Sequence, residues 1–476
     1  MYKIKLHKYS IPLGICLAVV SCTPAIAPLA ASKPVPESFD RSTDTANIST
    51  TPWRTYFKDP NLISLIDTAL KNNQELMITL QEIEIAKNDI RVKKGLLLPS
   101  VGIGAGAGVE KVGKYTSQGA GDASAEITPG LIVPEVLQDY KLAAYAHWEV
   151  DIWKKLRNSK KAAVSRYLST VEGKNFVITS LIAEVADSYY ELRALDSQLD
   201  IVRQNITLQS NALEIVKIQK EAARATELAV QKFQAEVMAS KSMEFDILQN
   251  IKETENKINF LLGRYPQEIA RDKSDFLSLL PSAVNSGIPS QLLSNRPDIK
   301  QAELELAAAK LDVKVARAEF YPSLDISAAI GLNAFKPSYL FTLPESLLYS
   351  LAGDIAGPLI NRNAIKAEYS SANARQLQAL YNYERTTLNA YLEVSSQLSK
   401  ISNIGKSYDL KSQQVNALNR SIAVSNDLFK SARVDYFEVL MTQRDALESK
   451  LELIETKKEQ LNAVVHVYKD LGGGWK

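Results

Sequence analysis

The sequence predicts an internally duplicated α+β membrane protein that combines four β-strands per chain with very long helices. Each half of the chain contains two stretches in which apolar and polar residues alternate, at the length of membrane-spanning strands. Each half also contains a proline-free stretch of roughly 70 residues with apolar side chains at alternating steps of three and four, as in a coiled coil. The second half repeats the first, so one structural unit occurs twice.

Composition limits the classes of protein that the chain can represent. It has 476 residues, 46% of them hydrophobic, and a formal net charge of +2. Nucleic-acid-binding domains show a basic excess that this chain lacks, so we expect no nucleic-acid partner. The sequence contains no nucleophile motif, phosphate-binding loop or metal-ligand cluster, and its two cysteines, Cys16 and Cys22, lie at the extreme N-terminus. We therefore predict no enzyme activity, no metal site and no cofactor.

The N-terminus has the pattern of an export signal followed by a lipid-attachment site. Three lysines precede a short apolar segment over 11–20, which is too short to span a bilayer. The sequence VVSC, which ends at Cys22, resembles a bacterial lipobox, in which cleavage before the cysteine frees a thiol that takes a diacylglycerol. Plain signal cleavage nearby is the alternative. Because Thr23 rather than Asp follows the cysteine, the pattern favours the outer membrane. We expect a signal peptide over 1–21, a lipid on Cys22 and an extended linker over 22–51.

The body of the chain consists of two copies of one unit. The residues that begin at Ala86 align without a gap with those that begin at Ala309. Each copy has the order helix, strand, turn, strand, long helix, tip and helix. We assign a first repeat over 52–266, an equatorial connecting segment over 267–296 and a second repeat over 297–476.

The predicted strands form one β-hairpin in each repeat, at about 99–153 and about 322–359. Alternation of apolar and polar residues is typical of outer-membrane barrels, although a half-buried sheet in a soluble protein would show the same pattern. In lipid, an open sheet edge leaves backbone groups unpaired, and single-chain barrels start at about eight strands. Four strands per chain therefore indicate that several chains share one barrel, and three chains would give twelve strands.

The long helices are predicted from about 156 to 224 and from about 365 to 433. At 1.5 Å per residue each helix would be about 105 Å long. That length suits a protein that reaches across a bacterial periplasm. A generic coiled-coil stalk is the alternative, but it leaves the strand pairs unexplained. Each helix ends in a tip, at about 222–229 in the first repeat and about 431–438 in the second.

Charged residues at the two tips are candidates for a periplasmic gate. Arg224 and Glu227 lie on the first tip, and Arg433, Asp435 and Glu438 lie on the second. In an assembly of three chains each would occur three times, and a ring of carboxylates can attract cations or be bridged by arginines. Exposed ion pairs are individually weak, which suits a switch. Ordinary solvated charge at helix ends is the alternative.

Several motifs place the chain close to a known family. They are WRTYFKDP from Trp53, WEVDIWKKLRN from Trp148, FLLGRYP from Phe260, NRPDIKQAELE from Asn295 and LGGGW from Leu471. In these motifs the chain resembles the TolC-like outer membrane efflux proteins, specifically their NodT-type lipoprotein branch. The resemblance covers nearly the whole mature chain. The resemblance implies a homotrimer with one twelve-stranded barrel in the outer membrane and a long periplasmic α-helical barrel. It also implies a passive duct for drugs or metal ions, supplied by a periplasmic adaptor and an inner-membrane pump of RND type.

The chain departs from the family where relatives usually carry glycine. Lys154, Ala223, Ala432 and the segment 361–363 occupy such positions. Because alanine tolerates a positive φ poorly, we expect the local turn at the tips to differ from that of relatives.

The tip also departs from the family at its familiar gate residues. Met441 stands where part of the family has an Asp that narrows the pore, and Phe429 stands where a bridging Tyr is found. Phe429 is a candidate hydrophobic plug, but its heptad position favours a core residue. The residues that form the gate in relatives are therefore not all present at the tip of this chain.

Two other functions remain open from the sequence. A duct of a type I protein secretion system would use the same fold, but the lipobox and the NodT-like motifs disfavour it. A lipid-anchored structural coiled coil is disfavoured by the four alternating strands.

Overall fold

The fold is described from a computed structural model of the chain. The structure describes Pro24, 34–39, 45–272, 276–279, Pro281, 284–431 and 433–476. The predicted signal peptide, Cys22, most of the linker and Ala432 lie outside these residues. The chain divides into two compact units. One comprises Ile85–Tyr167 and Leu304–Leu380, and the other comprises Leu168–Glu303, Tyr381–Lys476 and the described part of Ser32–Glu84.

Ten α-helices are formed by the described residues. They are α1 (Trp53–Tyr56), α2 (Pro60–Asn72), α3 (Gln74–Gly95), α4 (Ser117–Asp122), α5 (Lys155–Glu221), α6 (Glu227–Leu261), α7 (Ser290–Asn295), α8 (Pro297–Ala318), α9 (Asn363–Lys430) and α10 (Tyr436–Asp470). The predicted long helices are confirmed, since α5 has 67 residues and α9 has 68. No helix in the described part of the chain combines the length and the hydropathy of a membrane span.

The strands form one main sheet and a small hairpin. They are β1 (Ser100–Glu110), β2 (Glu126–Thr128), β3 (Leu131–Ile132), β4 (Leu137–Val150), β5 (Ser323–Ala334) and β6 (Leu347–Ala356). The main sheet is antiparallel in the order β1–β4–β5–β6 and contains the four predicted long strands, and β2 pairs with β3 separately. Within the chain, β1 and β6 are therefore the edge strands.

The register of the main sheet gathers the apolar residues on one face. Val101 pairs with Ala146, Ala146 pairs with Ala328, and Ala328 pairs with Leu351, so alternate positions of all four strands point the same way. This apolar face is uncovered in the chain, and Tyr349 for example is 77% exposed. An uncovered apolar surface of this kind marks contact with lipid or with another protein.

The two repeats differ mainly in the connection between their strands. The connection covers 111–136 in the first repeat and 335–346 in the second. The offset between matching residues falls from 223, at Ala86 and Ala309, to 209, at Arg224 and Arg433. The difference of 14 residues is the excess length of the first connection. That connection contains α4 and the β2–β3 hairpin, which the sequence analysis did not predict.

The second helix of each repeat ends at a glycine in a left-handed conformation. Gly263 ends α6 with a φ of 64°, and Gly472 ends α10 with a φ of 86°. A Cβ on Gly263 would lie 2.3 Å from the carbonyl oxygen of Asn72, and one on Gly472 would lie 2.5 Å from that of Asn295. Glycine is therefore required at both positions. The two repeats share the glycine that ends the helix and also its close contact with a backbone carbonyl oxygen.

Three non-glycine residues also adopt the left-handed conformation. Lys154, Ala223 and Asn361 have φ values of 61°, 55° and 54°, and all three stand where the family resemblance leads us to expect glycine. The expectation of a different tip turn is wrong at Ala223, because the chain adopts the conformation that glycine would take. The N–H of Arg224 donates to the carbonyl oxygen of Gln219 at 2.8 Å and closes the turn.

We predict that Ala223→Gly raises the thermal midpoint of the purified protein. Glycine removes a left-handed strain of about 1–2 kcal/mol and loses part of that gain to the entropy of the unfolded chain, so the net stabilisation should be about 0.5–1 kcal/mol. Ala239→Gly, at an exposed helical position of α6, is the matched control and should lower the midpoint because glycine costs about 1 kcal/mol there. A midpoint that falls in both variants would contradict strain at Ala223.

Candidate functional site at the helical tips

The structure brings the tips of the two helical hairpins together around one apolar cluster. We call this the tip cluster: buried Leu213, Val216, Ala229, Val230, Phe233, Val237 and Leu440, with Ala212, Ala225, Phe429 and Tyr436 half-buried against them. Most of these residues belong to the first hairpin, α5–α6, and Leu440, Phe429 and Tyr436 belong to the second, α9–α10. Phe429 packs as a core residue, which is what its heptad position predicts.

An ion pair joins the two helices of the first hairpin at the tip. Lys220, near the end of α5, contacts one carboxylate oxygen of Glu227, the first residue of α6. Gln231 Nε2 donates to the other oxygen at 2.7 Å. The hydrogen bonds from Lys220 and Gln231 hold the pKa of Glu227 below its usual range. Because both charged side chains are about half exposed, salt screens this contact and can weaken it.

The second hairpin has aromatic side chains at the positions that match this ion pair. At the offset of 209 residues, Lys220 matches Phe429 and Glu227 matches Tyr436. The ring of Tyr436 lies 6.5 Å from that of Phe233 in the first hairpin. The second hairpin thus carries two aromatic side chains, both packed against the tip cluster, at the positions of the ion pair in the first. Sequence reasoning missed Lys220 and Tyr436, although the common offset matches them with Phe429 and Glu227, which it did single out.

The N-terminal caps of the two tip helices also differ. Thr226 Oγ1 accepts a hydrogen bond from the N–H of Ala229 at 3.2 Å and caps α6. Asp435 occupies the matching position before α10, but its side chain makes no capping hydrogen bond. Its exposed carboxylate lies at a helix N-terminus, where the helix dipole favours negative charge. Asp435 is therefore open to a cation from outside the chain.

The other predicted gate residues are exposed and are not paired with one another. Within the part of the chain that the structure describes, no ion pair involves the side chains of Arg224, Arg433, Asp435 or Glu438. The backbone N–H groups of Arg224 and Arg433 instead close the ends of α5 and α9. Met441 is half-buried in α10. Among the described residues, no group of three or more His, Cys, Asp or Glu side chains is arranged to hold a metal ion.

Comparison with known proteins identifies the family. A family model described as "Outer membrane efflux protein" matches residues 65–264 and 288–473. These two ranges cover most of the chain, so the chain belongs to the outer membrane efflux protein family and acts in the outer membrane. The predicted family and location are confirmed.

Individual relatives match over almost their full length. The pyoverdine export outer membrane protein OpmQ of Pseudomonas aeruginosa is 28% identical over 470 residues, which cover 98% of this chain and 96% of OpmQ. The cation efflux system protein CusC of Escherichia coli is 25% identical over 471 residues, 98% of each chain. The open state of the MtrE outer membrane channel of Neisseria gonorrhoeae has a TM-score of 0.81 at 22% identity, covering 96% of this chain and 99% of MtrE. This likeness confirms the predicted fold class, and the family and its named relatives are transport proteins rather than enzymes.

We predict that Lys220→Met and Glu227→Gln each speed amide hydrogen exchange over residues 216–232. Each variant breaks the same ion pair, so the double variant should exchange no faster than either single variant. Raising the salt concentration should speed exchange in the unmodified protein and have little effect in the variants. Arg224→Gln removes an exposed charge at the same tip and is the matched control, with exchange unchanged. Additive effects of the two single variants would contradict a shared contact.

Proposed function

We propose that the protein is the outer-membrane duct of a tripartite efflux pump that exports small molecules such as drugs or metal ions. The observation that carries this proposal is the main sheet, whose apolar face is uncovered in a member of the outer membrane efflux protein family. A periplasmic adaptor and an inner-membrane pump of RND type deliver the substrate. The pump supplies the energy, so the duct needs no catalytic residue and no cofactor. The named relatives export pyoverdine and cations, which supports a small-molecule or ionic cargo.

The internal repeat supports an assembly of several copies. Phe245 on α6 is 71% exposed, whereas Ile454, which matches it on α10 at the offset of 209, is fully buried. Ile454 belongs to a buried cluster with Ala194 of α5 and with Phe276 of the connecting segment. In an assembly, α9 of a neighbouring copy, which matches α5 in the repeat, would cover α6 in the same way. We propose a homotrimer, in which twelve strands close one barrel.

The tips are the proposed gate of this duct. Arg224 and Glu227 on the first tip, and Arg433, Asp435 and Glu438 on the second, would each occur three times around the axis of the trimer. The uncapped carboxylate of Asp435 is suited to a cationic side chain of a neighbouring copy. Phe429 packs behind these charges in the tip cluster. Such surface contacts are individually weak, so docking of a partner on the tips is able to break them.

We predict that Arg433→Ala combined with Asp435→Ala raises single-channel conductance in planar bilayers. The double variant removes the proposed contacts between copies, and a loss of about 1 kcal/mol of closing free energy would raise the open-to-closed ratio roughly fivefold. Glu368→Ala with Arg375→Ala removes an exposed ion pair of α9, with atoms 3.0 Å apart, and is the matched control. Unchanged conductance in the tip variant would contradict the gate, and absence of conductance in every form of the protein would contradict the duct.

Lipid attachment at Cys22 is a separate part of the proposed function, and it rests on the sequence VVSC. Cys22→Ser should abolish incorporation of labelled palmitate, because the serine hydroxyl does not replace the thiol that takes the diacylglycerol. Cys16→Ser is the matched control and should keep the label, since Cys16 lies in the segment that is removed. Label that persists after Cys22→Ser would show that the lipid is attached elsewhere.

A further inference from the structure

A cavity of about 230 Å³ lies where the strands of the first unit meet its helices. The wall is built from the end of β4, the end of α8, the start of β5 and the residues that follow β6. Its apolar lining includes Val150, Ile152, Pro322 and Pro358, and its polar lining includes carboxylates and one lysine. The tip residues are not part of it, and the proposed transport function does not use it.

Two aromatic rings form one side of the cavity. Trp153 and Tyr321 are stacked, with ring centroids 4.6 Å apart and an interplanar angle of 21°. The indole N–H of Trp153 donates to the carbonyl oxygen of Pro322 at 2.7 Å, which orients the ring. Trp153 remains 44% exposed. Partly exposed Trp and Tyr side chains are typical of the level at which a membrane protein meets lipid headgroups.

The cavity also lies at the border of the uncovered apolar face of the sheet. Val150 is the last residue of β4 on that face, and Ile152, in the turn that follows, forms part of the wall of the cavity. Beyond β6, Leu359 and Ile360 are largely exposed. In an outer-membrane protein this face contacts the hydrocarbon of the bilayer, so its border on the side of the long helices lies at the headgroups of one leaflet.

The polar side of the cavity has more negative than positive charge. Lys155 Nζ lies 2.5 Å from Glu149 Oε1 but 3.7 Å from Glu319 Oε1, so one ammonium group serves two carboxylates. The side chain of Glu319 is about half exposed, and its long contact leaves it open to a second cation. Lys155 is the only lysine among the residues that line the cavity, and it is already held by these carboxylates. The site thus offers an acceptor for an ammonium group.

We propose that this cavity binds the headgroup of phosphatidylethanolamine from the adjacent leaflet. The ammonium group of the lipid donates to Glu319, and its acyl chains follow Ile152 and the exposed residues after β6. A primary ammonium group forms charge-assisted hydrogen bonds with a carboxylate. The quaternary ammonium of phosphatidylcholine has no N–H to donate, and phosphatidylglycerol has no cation. The cavity therefore selects phosphatidylethanolamine by charge and by hydrogen bonding.

Native mass spectrometry of the purified full-length assembly in detergent tests this site, with three lipids of identical acyl chains added in turn. Phosphatidylethanolamine should bind at lower concentration than phosphatidylcholine or phosphatidylglycerol. Glu319→Gln should weaken its binding about fivefold, as expected for the loss of one charge-assisted hydrogen bond. Glu345→Gln, at an exposed position of the 335–346 connection, is the matched control and should bind normally.

Three results would overturn the proposal. One is equal binding of phosphatidylethanolamine and phosphatidylglycerol, and another is unchanged phosphatidylethanolamine binding in Glu319→Gln. The third is displacement of the lipid by free phosphoethanolamine at an equal concentration, which would identify a soluble amine as the ligand. None of these readouts measures transport. A result that contradicts the lipid site therefore leaves the proposed duct untouched, and a result that contradicts the duct leaves the lipid site untouched.

Discussion

The two unpaired edges of the main sheet are the constraint on which the rest of the structure depends. Among the described residues, β1 and β6 each hydrogen-bond to one neighbouring strand only, and in hydrocarbon an unpaired backbone N–H or C=O is costly. The two edges cannot meet in one chain because four strands are too few to close a barrel, which takes about eight. Pairing of β1 in one copy with β6 in the next satisfies both edges in the proposed trimer. The same association would cover the apolar surface around Phe245, so one arrangement of copies serves the strands and the helices.

The repeat preserves a backbone hydrogen bond at the tips while it changes the side-chain chemistry. The N–H groups of Arg224 and Arg433 close the ends of the two long helices by matching bonds. Lys220 and Glu227 form an ion pair in the first hairpin, whereas Phe429 and Tyr436 of the second pack against the tip cluster. The pKa of Glu227 is lowered in the folded protein, so its ion pair is present above the usual pKa of Glu and is lost as the pH falls through the lowered value. Salt and acid thus act on the first hairpin. The tip cluster is held by hydrophobic burial, which acid does not titrate and salt does not screen.

Features with a local, periodic signal could be predicted from the sequence, and features that depend on a single contact could not. The alternation of β4 and the heptads of α5 extend over many residues, so strands and helices were found. The α4 segment and the β2–β3 hairpin lie in a glycine-rich connection without periodicity. The ion pair of Lys220 and Glu227 joins two helices across a turn, and no repeating pattern marks it. The expectation of a different turn at Ala223 is wrong because alanine tolerates a positive φ poorly but still adopts it, at a cost of about 1–2 kcal/mol.

The constant offset of 209 residues limits how this protein can change in evolution. Gly263 and Gly472 end their helices at matching positions, and the turns at Arg224 and Arg433 match as well. A one-residue deletion in one hairpin would rotate the rest of that helix by about 100° and move its apolar stripe away from its partner. Changes of length are therefore tolerated only in whole heptads and in both hairpins together. The connections between strands carry no such restriction, and there the two halves of the gene have diverged in length.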